Sequence, residues 1–136
     1  SKKIIKWPAK LGDKKAALQL GQVVRMQEEI GTGGAGFRFI FAAFIQEAAA
    51  VLKQDALLQI SQEITDAGDV WRNFAFMAGR ICKGRHGEGE SYEALGGLLM
   101  DCAEREKKIF NELKKIVFNK RILLRRWFCP QSRNCL

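Results

Sequence analysis

Two stretches of this sequence place seam residues at alternating steps of three and four over eight positions each. The first is Leu57, Ile60, Ile64, Ala67, Trp71, Phe74, Ala78 and Ile81; the second is Tyr92, Leu95, Leu99, Cys102, Glu106, Ile109, Leu113 and Ile116. That alternation keeps all eight side chains on one stripe of an α-helix, the repeat of helices packed nearly parallel in a bundle. No period-two pattern competes with it. Both prolines, Pro8 and Pro130, lie near the ends, so nothing between them breaks a long helix. The expectation is an all-α fold, an up-and-down antiparallel helix bundle of about four helices.

The remaining elements follow from breaks and caps. A weaker helix is expected from Lys14 or Lys15 to Ile30, with Ala17, Leu20, Val24 and Gln27 along one side and Gly21 lowering its propensity. Gly-Thr-Gly-Gly-Ala-Gly at 31–36 ends it. Phe37, Phe41, Phe44, Ala48 and Val51 then form the expected inner stripe of a second helix. Asp55 is positioned to cap the third helix, in which Gly68 falls off the seam. The glycine-rich loop 83–90 turns the chain, and Ser91 supplies the cap of the fourth helix. The chain thus divides into a basic segment 1–15, read as irregular with Trp7-Pro8 as an extended anchor, a bundle 16–118, and a basic amphipathic tail 119–136.

Charge follows the same division. Of the net +8, residues 1–15 carry +5 and residues 119–136 carry another +5, while 16–118 holds 12 basic and 14 acidic residues. A near-neutral body with basic ends argues against a nucleic-acid surface built into the fold. No run of about 18 apolar residues is apparent, so no membrane span is expected. In the tail, Ile122, Leu123, Leu124, Trp127 and Phe128 are mixed with four arginines and one lysine. Such a segment can lie on anionic lipid or an acidic partner, or it can continue the fourth helix and pack on the bundle or a second copy.

Cys82 and Cys102 sit in helical patterns where cysteine is usually a small buried hydrophobe. Cys129 and Cys135 flank Pro130 and could cross-link if oxidised. With one histidine and no Cys-x-x-Cys pair, the common zinc frameworks are excluded, and a reduced, cytoplasmic setting is the simpler expectation. His86 is placed in a loop, so the paired Glu-x-x-His ligands of a di-iron bundle cannot be assembled. Ser61, Ser91 and Thr32 have no histidine at a predictable distance. No catalytic residue, cofactor or metal is therefore assigned.

Three features remain as candidates for contact. Gly33 and Gly34 precede a helix N-terminus, where free backbone N–H groups bind anions. With no strand before them and no Gly-Lys-Ser/Thr after them, they read first as a helix–helix connection. Glu106, alone among apolar seam positions, would be costly if ionised and unpaired, and Arg38 and Arg72 are its candidate partners. Such a pair would form a polar layer fixing the bundle, or a binding contact at its edge. Trp71, Phe74, Phe76 and Met77 read as core; Phe39 and Phe76, off their seams, would face a second helix layer or form a partner surface.

The segment Gly33-Gly34-Ala35-Gly36-Phe37-Arg38, followed by Phe41, Phe44-Ile45 and Glu47-Ala48, with Asp69-Val70-Trp71-Arg72 downstream and the helix over 104–113, resembles a known family. It is similar to the helical C-terminal domain of butirosin biosynthesis protein H-like proteins, a domain of unknown function (DUF4872), over roughly residues 20–117. In that family an N-terminal domain with a papain-like cysteine peptidase fold passes an acyl group from an acyl carrier protein to an amine. Nothing here matches that domain, so the resemblance implies a missing catalytic partner, cut away or encoded separately. It also implies Arg38 and Trp71 as interdomain or ligand contacts. The tail beyond Val117 departs from the family.

Three functions are then in play. The first is a non-catalytic accessory domain packing on a catalytic domain, on an acyl carrier protein or on itself as a homodimer. The alternative is a small basic protein binding nucleic acid or anionic membrane through its ends, with an affinity that falls steeply with salt. The third, an enzyme using Glu106 as acid or base in the bundle interior, has least to support it.

Overall fold

The computed structural model describes residues 2–30 and 35–128, with side chains as far as 116. Six helices follow in order: α1 (Lys2–Ile5), α2 (Trp7–Leu11), α3 (Asp13–Glu28), α4 (Ala35–Leu52), α5 (Ala56–Cys82) and α6 (Tyr92–Phe128). No strand occurs among the described residues. The expected all-α bundle of four longer helices forms, with α5 at its centre and α3, α4 and α6 packed around it.

The connectivity is decided by cross-chain contacts. Gly21 of α3 lies by Cys82 and Gln27 by Trp71, so α3 runs antiparallel to α5 over its C-terminal half. Phe39 of α4 lies by Gly68, and the Ser61 hydroxyl donates to the Ala42 carbonyl at 2.8 Å, so α4 runs antiparallel to α5 over its N-terminal half. The helices α3 and α4 therefore follow one another along a single long helix. Successive α4, α5 and α6 alternate in direction, and α6 runs back along the full length of α5.

This arrangement gives two apolar clusters. One joins Ala42, Ile45 and Ala49 of α4 to Leu57, Ile60, Ile64 and Ala67 of α5 and Ile109 of α6. The other joins Ile4, Leu20, Phe74, Ala78, Ile81 and Leu95. Each fully buried large side chain, such as Phe74, Leu20 or Leu95, contributes roughly 1.5–3 kcal/mol relative to exposure. Both predicted seams of α5 and α6 face these clusters.

Several expectations are corrected. Residues 2–11 are helical rather than irregular, with Pro8 in the first turn of α2 where its missing N–H costs nothing. Ile4 is buried and Trp7 packs beside it, so this segment belongs to the second cluster. Asp55 occupies the cap position of α5 without a side-chain capping bond, whereas Ser91 Oγ does accept from the Ala94 N–H at 3.2 Å. Gly68 is buried and closely approached by Phe39, as described below.

The stripe expected to face inward on α4 does so only in part, through Phe41 and Ala48, which pack half-buried against the first cluster. The buried line of α4 is Ala35, Ala42, Ile45 and Ala49, while Phe37, Phe44 and Val51 are exposed. The physical reason is that α4 is apolar on both sides, and its small residues allow the closer approach to α5. That same composition makes the 18 residues Ala35–Leu52, mean hydropathy 1.5, long and apolar enough to cross a membrane, contrary to the sequence expectation. In the fold α4 lies lengthwise on α5, with 22% of this window buried.

Candidate functional site: a polar node beside an apolar face

Where α3 ends and α4 begins, the two apolar clusters are separated by a polar node to which all four long helices contribute. Gln27 of α3, Arg38 of α4, Trp71 of α5 and Glu106 of α6 meet there. Glu106 Oε1 accepts from Arg38 Nε at 2.8 Å and from the Trp71 indole N–H at 2.8 Å. Arg38 Nη2 lies 2.7 Å from the same oxygen. The Arg38 guanidinium also sits over the Trp71 ring, 4.6 Å from its centroid. Gln27 donates to the Trp71 carbonyl at 3.3 Å. Oxygen and guanidinium are thus held by charge-assisted bonds and a cation–π contact at once.

The seam position of Glu106 makes this arrangement necessary. The heptad step that brings Ile109 and Cys102 inward brings Glu106 inward with them. Its side chain is 28% exposed and that of Arg38 21%, so neither is free to be solvated as a surface group. Cys102, one turn before Glu106, has its thiol pushed up to about 11, first by burial and then by the carboxylates of Glu106 and Asp101. A neutral, buried thiol is not a nucleophile. A carboxylate oxygen shared by a guanidinium and an indole acts here as a structural anion.

Arg38, Trp71 and Glu106 are therefore brought together. Arg72 is not: its guanidinium lies 4.9 Å from the Phe39 ring centroid, away from Glu106, because it follows Trp71 by one residue and points about 100° round the helix. Phe39 closes against α5 at Gly68, where a Cβ would come within 2.8 Å of the ring. Gly68 thus provides the space that lets α4 lie against α5. Phe76 is exposed beneath Arg80. Gly33, Gly34, Cys129, Cys135 and the tail side chains lie outside the described residues.

Beside the node runs a groove of about 350 Å³, with Phe37, Arg38 and Phe41 of α4 on one side and Glu106, Ile109 and Phe110 of α6 on the other. Ile64 and Ala67 of α5 line its floor. Among the described residues the backbones of α4 and α6 do not come within contact distance. They are bridged instead by the Arg38–Glu106 pair and by Phe41, whose ring stacks on Phe110 at 6.1 Å and on Phe44 at 6.4 Å. From this groove the apolar surface continues over α4: Phe37 is 63% exposed, Ile40 69%, Phe44 61% and Val51 81%, with Phe110 at 57% on α6. Sequence reasoning placed Phe37, Phe44 and Val51 of this row in the inner stripe of α4 and did not single out Ile40 or Phe110. The exposure of the row had no separate signal, since both sides of α4 are apolar.

No curated protein matches the chain, and no solved structure does. A family model does, that of a domain of unknown function (DUF4872), over residues 1–113. The match includes the short N-terminal helices that pack into the second cluster, extending the resemblance seen in the sequence back to the first residue. Covering most of the chain, it shows that this protein belongs to the DUF4872 family of domains of unknown function.

Proposed function

We propose that this domain is a non-catalytic interaction module that works by presenting the outer face of α4, with the adjoining α4–α6 groove, to a protein surface. The observation that carries this reading is the row Phe37, Ile40, Phe44 and Val51 on one side of α4, each more than 60% exposed. Large contiguous apolar patches are uncommon on isolated soluble domains and mark contact sites. The polar node supplies the positioning. Arg38 and Trp71, two of the residues that carry the resemblance to butirosin biosynthesis protein H-like proteins, fix how α4 is rotated and hence which face it presents. In this reading the chain is an accessory to an acyltransferase of that kind, packing on the cysteine-bearing catalytic domain, on an acyl carrier protein or on a second copy of itself.

The test is calorimetric titration of the pure chain with such a catalytic domain, alongside an acyl-transfer assay of the chain alone. Binding that disappears in Phe44→Glu, with the helical circular dichroism unchanged, supports the reading. Binding indifferent to Phe44→Glu, or acyl transfer by the chain itself, overturns it.

A further inference from the structure

We infer that the outer face of α4 is self-complementary and closes on a second copy of this chain, with the two α4 helices antiparallel about a two-fold axis at Phe44. The inference rests on the reading of this face as a contact surface and names its occupant.

The pattern of the face supports a like partner. In an antiparallel pair centred on Phe44, Phe37 falls opposite Val51, Ile40 opposite Ala48, and Phe44 opposite its own symmetry mate. Each large side chain away from the axis thus meets a smaller one, the alternation that lets two helices interdigitate. Phe41, already stacked on Phe44 and Phe110, would extend a continuous aromatic layer from one copy to the other. A two-fold contact uses the same patch twice, so the pairing closes and does not propagate.

Charge points the same way. The chain carries +8 overall, yet no lysine or arginine lies in the exposed row. Arg38 is turned inward to Glu106. A nucleic acid or an anionic membrane would have no cation to meet on this face. Glu47, exposed and spaced with the row between Phe44 and Val51, would lie level with Phe41 of the other copy at the margin of the contact, and the two copies of Glu47 would stand six residues apart along the axis, about 9 Å, near the screening length at physiological salt.

The area is sufficient. Aromatic side chains each bury about 150–250 Å², so five large side chains left 57–81% exposed offer on the order of 500–600 Å² per copy. Two copies together reach about 1,000–1,200 Å², the threshold of a specific interface.

The experiment is sedimentation velocity of the full chain from about 1 to 200 µM, for the wild type, Phe44→Glu, Phe44→Lys and an equimolar mixture of the two variants. Circular dichroism checks that each variant keeps its helix content. The expected result is a dimeric wild type, two monomeric variants, and a dimer regained on mixing, since opposite charges then meet at the axis. A wild type that stays monomeric to 200 µM overturns the inference, as does a dimer that persists in both variants. Bis-ANS binding, read in parallel, separates the two failures. A monomer whose dye binding is lost in Phe44→Glu still has its contact face and lacks only the proposed occupant. A monomer that binds phosphatidylcholine vesicles through Phe44 assigns the face to lipid instead.

Discussion

The Trp71 indole N–H on α5 donates to Glu106 Oε1 on α6 at 2.8 Å, and the oxygen it reaches is the one that Arg38 of α4 already holds at 2.7 Å. Three helices are therefore keyed to one carboxylate oxygen. Because apolar packing is non-directional, the clusters on either side leave the rotation of α4 loosely specified. The geometry of three donors about one oxygen specifies it.

Removing Glu106 should leave Arg38 and the indole N–H without their acceptor in a site only about a quarter exposed. Glu106→Ala is expected to cost roughly 1–3 kcal/mol, less than a fully buried ion pair because water reaches part of the node. Trp71→Phe, losing only the indole bond with part of the ring contact, should cost nearer ~1 kcal/mol. Urea denaturation of the two single variants and the double variant would show strong non-additivity; simple addition would mean the two groups act independently.

Gly68→Ala sets two effects against each other. Alanine favours a helix over glycine by about 1 kcal/mol, but its Cβ would meet the Phe39 ring at 2.8 Å. The expectation is net destabilisation of about 1–2 kcal/mol, reduced when Phe39→Ala is combined with it. Gly79 and Gly97 have open space at the same position, so Gly79→Ala and Gly97→Ala should stabilise by roughly 0.5–1 kcal/mol. Thermal melts of the three glycine variants give the comparison directly.

Ile4 ties the N-terminal helices to the body of the fold. It is buried with Leu20, Phe74 and Leu95, and Ile4→Ala should cost about 2–4 kcal/mol through the cavity it leaves. Deleting residues 1–11 should likewise lower the melting temperature. If the segment were only a charged tail, its removal would leave the melt unchanged.

Stability should fall on the alkaline side through Cys102. Its thiol ordinarily titrates at 9.0 and is pushed up to about 11 in the fold, first by burial, then by Glu106 and Asp101. Below pH 9 it is protonated in folded and unfolded chains alike, and its contribution is fully present. Between 9 and about 11 the unfolded chain loses the proton first, so stability declines by at most about 1.4 kcal/mol per pH unit. Urea midpoints of wild type and Cys102→Ala at pH 8, 9.5 and 10.5, chosen about that window, should show a steeper decline in the wild type; parallel lines would remove the thiol as the cause.

Glu90 acts at the opposite pH extreme. Its Oε2 accepts from the Gly87 N–H at 2.7 Å and from Arg80 Nε at 2.9 Å. The backbone bond foremost, then Arg80, holds its carboxyl below the ordinary 4.5. The clasp on the α5–α6 loop is therefore complete above that value and is lost as pH falls through the lowered one. Side-chain NMR titration should place Glu90 below 4.5, and Arg80→Gln should raise it. A Glu90 titration unchanged by Arg80→Gln would limit the clasp to the backbone bond.

By itself the sequence determined the four longer helices and the inner faces of α5 and α6. In those two the apolar stripe is narrow and the rest polar, so only one rotation buries it, and Leu57 through Ile81 and Tyr92 through Ile116 face where their spacing says. It also determined that Glu106 needed a partner, because a carboxylate on a seam is costly unpaired; of its two candidates, only tertiary placement could choose Arg38 and turn Arg72 to Phe39. Tertiary structure likewise decided α4. With Phe37, Phe41, Phe44, Ala48 and Val51 on one side and Ala35, Ala42, Ile45 and Ala49 on the other, hydrophobicity alone cannot say which is inside. The choice fell to size and to polar geometry: the alanine side, with Phe39 seated at Gly68, comes closest to α5 and lets Arg38 reach Glu106. Of the other side Phe37, Phe44 and Val51 are left outside, and Phe41 and Ala48 stay half-buried at the edge of the first cluster. Helix α1 was hidden for a related reason, since lysines surround an Ile4 whose burial depends on a pocket built by α3, α5 and α6 far along the chain.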